Sequence, residues 1–360
     1  MTIVAATRAY EAWAGRRIDL VAAHLRLKHR AMASAAFPFL RATFYRWAAL
    51  WREACPELAA APVLLAVGDL HIENFGTWRD AEGRLVWGIN DFDEAFPMPY
   101  TIDLVRLATS ALVAGRGRAL SITPEAACAA ILDGYRQAML AGKGHGFVLE
   151  EEHPLLRAMA LGAERDPVRF WAKLTGFPTV TPPRGVRRLL ARELPDGAAK
   201  PRVVARVAGL GSLGRPRYVA ITPCDGGLVA REAKAMLPSA YGWAMDLKNK
   251  RFHLETIIAR AIRPHDPFFK ARKGWVLRRL GPHCSRIEIS DFPRLRDEER
   301  ILHAMGRETA NVHLGSGGGA LDAVRRDLRR RRGAWLHEAA AVMASATLAD
   351  WRDWRRHAGA

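Results

Sequence analysis

Cysteine is scarce in this chain: Cys55, Cys128, Cys224 and Cys284 are the only four, they lie far apart, and no C-x-x-C pair occurs. That spacing supports neither a disulfide framework nor a zinc site, and it leaves the reduced thiols expected of a cytoplasmic protein. Long apolar runs are missing as well. No segment approaches the roughly 20 residues needed to cross a bilayer, and the Ala-rich stretch 339–349 is short and flanked by charge. The first residues carry Glu11 and several Arg without an apolar core of signal-peptide type. Acidic side chains are outnumbered, 37 Asp and Glu against 55 Lys and Arg, giving a formal charge of +18. Such a balance suits an anionic partner: a nucleotide, a nucleic acid or a membrane surface. No aromatic-interleaved basic stripe or nucleic-acid motif accompanies it, however. The run from Arg325 to Arg332 reads as a solvated helix face, so nucleic acid is not the expected partner.

What is present is concentrated between residues 63 and 94. Val63 to Val67 is an apolar, β-favouring run that ends in Gly68-Asp69-Leu70-His71-Ile72-Glu73-Asn74-Phe75-Gly76. A second strand-like run, Arg84 to Ile89, ends in Asn90-Asp91-Phe92-Asp93-Glu94. Two strands that deliver carboxylates and an amide at their ends suit a hard cation such as Mg²⁺, which takes oxygen ligands. Asp69 and Asn74 are five positions apart, the D-x-x-x-x-N spacing of base and metal ligand in a phosphoryl-transfer loop. Asp69 is the candidate catalytic base, Asn74 and Asp91 the candidate metal ligands. Asp93 is a reserve ligand, since residues two apart on a strand point the same way.

These two motifs resemble those of a large family of uncharacterised bacterial proteins, itself similar to the aminoglycoside phosphotransferases and, more distantly, to protein kinases. The resemblance extends to Met32-Ala33-Ser34, Phe37 to Arg41, Asp103 to Ser110 and the loop from Gly209 to Gly214. It implies an α+β, two-lobed, kinase-like fold that binds ATP or a related nucleotide with Mg²⁺ between its lobes. The implied reaction is phosphoryl transfer to a hydroxyl of an acceptor, small molecule or protein.

Gly209, Gly211 and Gly214 fit G-x-G-x-x-G, with Ser212 inside the loop. A dinucleotide loop must open a helix, whereas Arg215-Pro216-Arg217-Tyr218-Val219 favours a strand. No Gly-Lys-Ser/Thr follows, which excludes a Walker loop. Strand, Gly-loop, strand is the arrangement in which backbone N–H groups cover nucleotide phosphates in kinases; a plain hairpin that needs positive φ gives the same pattern. The loop comes about 140 residues after Asp69, the reverse of kinase order, so the resemblance requires circularly permuted lobes, which is allowed because domain termini often lie close together. The expected division is residues 1–195 as a helical lobe with the catalytic loops, 196–290 as a small β lobe and 291–360 as helices returning to the first.

The resemblance also implies a phosphate-binding Lys on the third strand of the small lobe. Arg231 occupies that place here, with Lys234 three residues on and facing the other way. Arg for Lys is not conservative at a phosphate. Either Arg231 serves, or Lys234 swings in, or activity is lost. Glu255 on the next helix is a partner for that cation or a surface residue. Asp103 reads as an early-turn carboxylate of a helix, or as a brace for the catalytic loop through Arg106. Alternatives are a catalytically impaired nucleotide-binding relative and a nucleotidyltransferase on the same fold. A binuclear metallophosphoesterase is disfavoured because no later Gly-Asp or Gly-Asn-His occurs.

Elsewhere, periodicity predicts one helix over Thr7–Arg30, broken at Phe37-Pro38-Phe39, an aromatic helix over Thr43–Trp51, and helices from Thr101 and Thr123. Strands are predicted at Gly274–Leu280 and Arg286–Ile289, and helices from Glu298 onward.

Overall fold

The computed structural model describes residues 1–360 apart from 118–119, 163–164, 249–250, 285, 289–296 and 360. It is α+β, with helices dominating and three small antiparallel sheets. In chain order the first elements are α1 (Ile3–Gly15), α2 (Ala22–Ser34), α3 (Ala36–Ala42), α4 (Phe44–Ala54), α5 (Pro56–Ala59), β1 (Val63–Ala66), β2 (Phe75–Arg79), β3 (Leu85–Ile89) and β4 (Phe96–Pro99). There follow α6 (Thr101–Arg116), α7 (Pro124–Ala141), β5 (Phe147–Val148), α8 (Pro154–Ala160), α9 (Pro167–Thr175) and α10 (Arg184–Arg192). The last third holds β6 (Arg202–Ala205), β7 (Arg217–Cys224), β8 (Gly227–Ala235), α11 (Ala240–Ala244), α12 (Leu254–Arg260), β9 (Lys270–Arg272), β10 (Trp275–Leu280), α13 (Glu298–Leu314), α14 (Gly318–Arg330) and α15 (Trp335–Ala358).

The helical core is built on α6, whose residues from Thr101 to Ala114 are all buried. A helix that is mostly apolar all round must be enclosed, and α3, α7, α13 and α15 pack around it. The helix from Thr123 forms as expected: the Thr123 hydroxyl accepts from the Ala126 N–H, and Pro124 takes the first position, where no N–H is needed. Trp47 and Trp51 stack in the core, 6.5 Å between centroids.

Two expectations change. The helix predicted over Thr7–Arg30 is two, α1 and α2, separated at Arg16–Val21. Phe37-Pro38-Phe39 does not break a helix but lies inside α3. Pro38 is its third residue, among the first N–H positions that have no intrahelical partner, so the missing donor costs nothing. Pro97 and Pro99 belong to β4, which pairs only with β1; on an edge the absent N–H groups are tolerated.

The five-stranded sheet runs β6-β7-β8-β10-β9. Alternation gives it two faces. The outer one (Val203, Ala220, Ala233, Leu277) is covered by Val186 and Leu190 of α10. The inner one is apolar at one end, where Val204, Val219, Ile221, Ala230 and Leu280 meet Leu174 and Phe170 of α9. At the other end it is charged: Arg217 sits across from Lys234, and Arg278 across from Glu232. The strand predicted at Arg286–Ile289 does not form: Arg286 makes a single bridge to Gly76, and Ile289 lies outside the described residues. Among the described residues no helix is long and apolar enough to cross a membrane.

Candidate functional site

The first acidic turn is fixed by α6. Asp103 is fully buried, and its carboxylate accepts from the backbone N–H groups of Val67 (2.7 Å) and Gly68 (2.8 Å). His313 approaches the same carboxylate through Nε2 at 2.9 Å, and its Nδ1 lies 2.9 Å from the Tyr135 hydroxyl. One turn further along α6, Arg106 is 0% exposed and holds Asp69 Oδ1 through Nε (3.0 Å) and Nη2 (2.6 Å). Its Nη2 also donates to the Leu40 carbonyl at 2.6 Å, and its guanidinium lies over Trp47 at 5.0 Å. Asp103 therefore braces the loop by its amides, and Arg106 braces the carboxylate itself. Each is a buried charge with a partner, the condition under which a charge survives inside a core.

Asn74 joins the two turns. Its Nδ2 donates to the Asp69 carbonyl (3.1 Å) and to the Asp91 carbonyl (3.3 Å). Glu73 pairs with Arg41. His71 is buried, and burial together with nearby arginines pushes its pKa well below the ordinary value, so it stays neutral. That excludes a cationic role and fits a bracing one.

The late-encoded sheet reaches the same place. The Lys234 ammonium, 1% exposed at the side chain, lies 2.6 Å from Asp93 Oδ2 and 3.4 Å from Asp91 Oδ1. Arg215, just after the glycine loop, meets Asp93 at 3.0 Å and Glu94 at 3.3 Å. The loop itself holds a 3₁₀ turn, Leu210–Ser212, between β6 and β7. Gly209 and Gly214 have φ of +73° and +98°, where a side chain would be strained. Gly211 is small for a different reason: a Cβ there would stand 2.9 Å from the Arg41 carbonyl and 3.6 Å from Asp69 Oδ2. The Ser212 hydroxyl accepts from Arg217, which also pairs with Glu232 at 3.1 Å.

Two of the expected residues stand apart. Arg231 faces away, its Nε donating to the Glu193 carbonyl at 2.9 Å and its guanidinium 4.0 Å from the Phe268 ring centroid. The strand's alternation dictates this, since residues three apart lie on opposite faces, and Lys234 holds the inner position. Glu255 is exposed and pairs with Arg272, not with Lys234.

Electrostatics differ between the carboxylates. Burial raises Asp69 to about 6 despite the opposing Arg106. Burial also raises Glu94 to about 7 against Arg215. Burial would raise Asp91 too, but the charges of Lys234, Arg278 and Arg217 outweigh it and hold Asp91 well below the carboxylate range. Glu232 is held low in the same way by Arg206, Arg217 and Arg278, against its burial.

These groups surround one cavity of about 760 Å³. Asp69, Asn74, Asp91, Asp93 and the loop from Gly209 to Ser212 line it, together with apolar Phe170, Leu174 and Leu280 and the cations Arg169, Lys173 and Arg206. Lys234 does not line it directly but sits behind the two carboxylates. Among the described residues, no three His, Cys, Asp or Glu side chains are grouped to hold a metal ion by themselves. The oxygen donors here are the Asp91 carboxylate, the Asn74 amide and Asp93, whose buried Oδ1 has no hydrogen-bond partner. That set fits a Mg²⁺ ion completed by ligand and water oxygens, the usual mode for this cation, and it does not fit zinc. Arg215 and Glu232 are site residues that the motifs did not single out; Arg106 was named only as a partner of Asp103, and Glu94 was given no role. The signal for Arg106 was a charge within a largely apolar stretch of helix; Arg215 sits just outside the glycine motif, and nothing local marks it.

Residues 17–159 match the profile of a family described as uncharacterized protein conserved in bacteria (DUF2252). The match takes in both acidic turns and α6, and supports the family resemblance read from their motifs. Searches against curated proteins and against solved structures gave no match.

Proposed function

We propose that this protein is a Mg²⁺-dependent, ATP-binding phosphotransferase acting on a hydroxyl of its acceptor, with lobes in permuted order relative to kinases. The observation that carries this reading is the convergence of Asp69, the Asp91–Asp93–Lys234 cluster and the glycine loop on one cavity. In this reading the phosphates lie under the glycine loop, and the base enters the slot between Val207, Leu280, Pro282 and α9. A cavity lined by both charged and apolar side chains, with cations among them, suits a nucleotide.

Asp91, Asn74 and Asp93 would hold Mg²⁺, which when bound neutralises charge on the phosphate oxygens. Lys234, behind the two carboxylates, helps to keep Asp91 ionised and fixes both side chains. Asp69 accepts the proton of the acceptor hydroxyl through Oδ2, since Arg106 fixes Oδ1 and thereby its orientation. A carboxylate raised to about 6 is ionised at neutral pH yet basic enough to take a proton. Such transfer depends mainly on positioning and electrostatics. The misplaced Arg231, which favoured an impaired relative, loses that weight because Lys234 holds the inner face.

The test is Mg-ATP calorimetry alongside ATP consumption, for the wild type and for Asp69→Ala and Asp91→Ala. Binding that survives Asp69→Ala and is lost in Asp91→Ala, with turnover lost in both, supports the proposal. ATP binding without labelling of any acceptor pool would favour a nucleotide-binding protein without turnover.

A further inference from the structure

The inner face of the five-stranded sheet gathers three guanidiniums on one carboxylate. Glu232 of β8 is 0% exposed and meets Nη1 of Arg206 at 2.6 Å, Nη1 of Arg217 at 3.1 Å and Nε of Arg278 at 3.5 Å. Arg206 follows β6 and stands three positions before Gly209. Arg217 opens β7 and donates through Nη2 to Ser212 in the glycine loop. Arg278 lies on β10, across from Glu232. All three arginines line the cavity that holds Asp69 and Asp91.

Glu232 answers one of these three positive charges. The other acids that Arg278 feels are Asp91, Asp93 and Asp266, and each has a cation of its own. Lys234 lies 3.4 Å from Asp91 and 2.6 Å from Asp93, and Arg279 lies 3.5 Å from Asp266. Among the described residues the Arg278 side chain makes no hydrogen bond, and that of Arg206 makes none beyond the one to Glu232. Their side chains are 19% and 24% exposed, so both guanidiniums keep N–H groups for the cavity. The Arg217 Nε is buried without a partner. Burial and the charges of Arg278 and Arg206 lower the Arg217 pKa against the pull of Glu232, as like charges crowded away from water do. The planar fork of a guanidinium matches the oxygens of a phosphate, and a shared buried carboxylate fixes two such forks side by side.

We infer that Arg206 and Arg278, aligned by Glu232, bind a phosphoryl oxyanion in this cavity. The group is either a phosphate of the nucleotide or a phosphate carried by the acceptor. The inference rests on the phosphotransfer reading only for the naming of these two sources.

The experiment titrates inorganic phosphate calorimetrically into the wild type, Arg206→Met, Arg278→Met, Arg278→Lys and Lys173→Met. Each arginine variant leaves Glu232 with at least two cations, so the fold is kept, which melting temperatures in phosphate-free buffer check. Lys173 lines the same cavity from α9 but is exposed, and serves as the control for net charge. Phosphate affinity should fall about tenfold or more in Arg206→Met and in Arg278→Met, as for loss of a charged hydrogen bond. It should be partly kept in Arg278→Lys and hardly change in Lys173→Met, whose charge is screened by solvent. Wild-type protein that does not bind phosphate, either methionine variant at 206 or 278 that binds it equally well, or an equal loss in Lys173→Met overturns the proposal. Saturating Mg-ATP then separates the sources. Phosphate that it displaces assigns the site to the nucleotide; phosphate that still binds assigns it to the acceptor. If phosphate binds through the arginines but Mg-ATP does not bind the wild type, the oxyanion site stands and the phosphotransfer reading falls.

Discussion

Asp69 is held at one oxygen by Arg106 and open to the glycine loop at the other, and burial raises it to about 6. If it is the base, turnover should fall as pH drops below about 6, where its carboxylate takes up a proton. Asp69→Asn should remove that limb and cost roughly 10²–10⁴-fold in rate; a pH–rate profile checks both. Arg106 is a separate matter. Arg106→Leu leaves a buried carboxylate unpaired and should destabilise the fold by about 3–5 kcal/mol, measured by urea denaturation. At this scale the motifs carried the early half of the cluster well. Asp69, Asn74, Asp91 and Asp93 meet because short spacings and strand ends keep them together. Lys234 and Arg231 could not be told apart with assurance, because that choice depends on which face of β8 turns inward, a tertiary fact. Of the two places open to Glu255, α12 gives it the exposed one, paired with Arg272.

Elements with a strong local pattern were legible. The hairpin β2–β3, the glycine loop between two strands, and the helices starting at Thr101 and Thr123 all have local causes: turn residues, positive-φ glycines and caps. The split between α1 and α2 and the strand β4 were not legible, because each is imposed by distant partners. The crossing of α7 and α13 shows how close such partners come. A Cβ on Gly134 would lie 2.0 Å from the His303 carbonyl, and one on Gly306 would lie 2.0 Å from the Ile131 carbonyl. Neither glycine has positive φ, so the need is for space alone. Gly306→Ala should therefore cost about 3 kcal/mol through overpacking, seen as a lower midpoint in denaturant with an unchanged slope. Gly211→Ala should act differently, pressing the loop off Arg41 and Asp69 and weakening Mg-ATP binding more than stability.

Across the whole molecule, opposite pKa shifts shape the response to pH. Glu94 accepts from the Ser239 hydroxyl and the Ala240 N–H and pairs with Arg215, and burial lifts it to about 7. Its folded pKa exceeds the unfolded value of about 4.3, so the folded state binds its proton more tightly. Stability from this group is present below about pH 4 and is lost as pH rises towards 7. Asp91 and Glu232 have the reverse shift, so their contribution is present above about pH 4 and is lost in acid. Glu94→Gln should flatten the decline in melting temperature between about pH 4 and 7, as thermal scans across that range would show. In the basic run from Arg325 to Arg332, Arg325 pairs with Asp322 and Arg331 with Asp327. No mobility shift with duplex DNA is expected at about 0.15 M salt.

The bridge between Asp91 and Lys234 spans 143 positions of the chain. At a translation rate of about 5–20 residues per second, the acidic half of the cleft leaves the ribosome roughly 7–30 seconds before its counter-ion. Until Arg215 and then Lys234 follow, Asp91 and Asp93 lack the cations they pair with in the folded protein. A fragment ending near residue 195 should accordingly fail to fold by itself, and a ribosome stalled there should present a protease-sensitive chain.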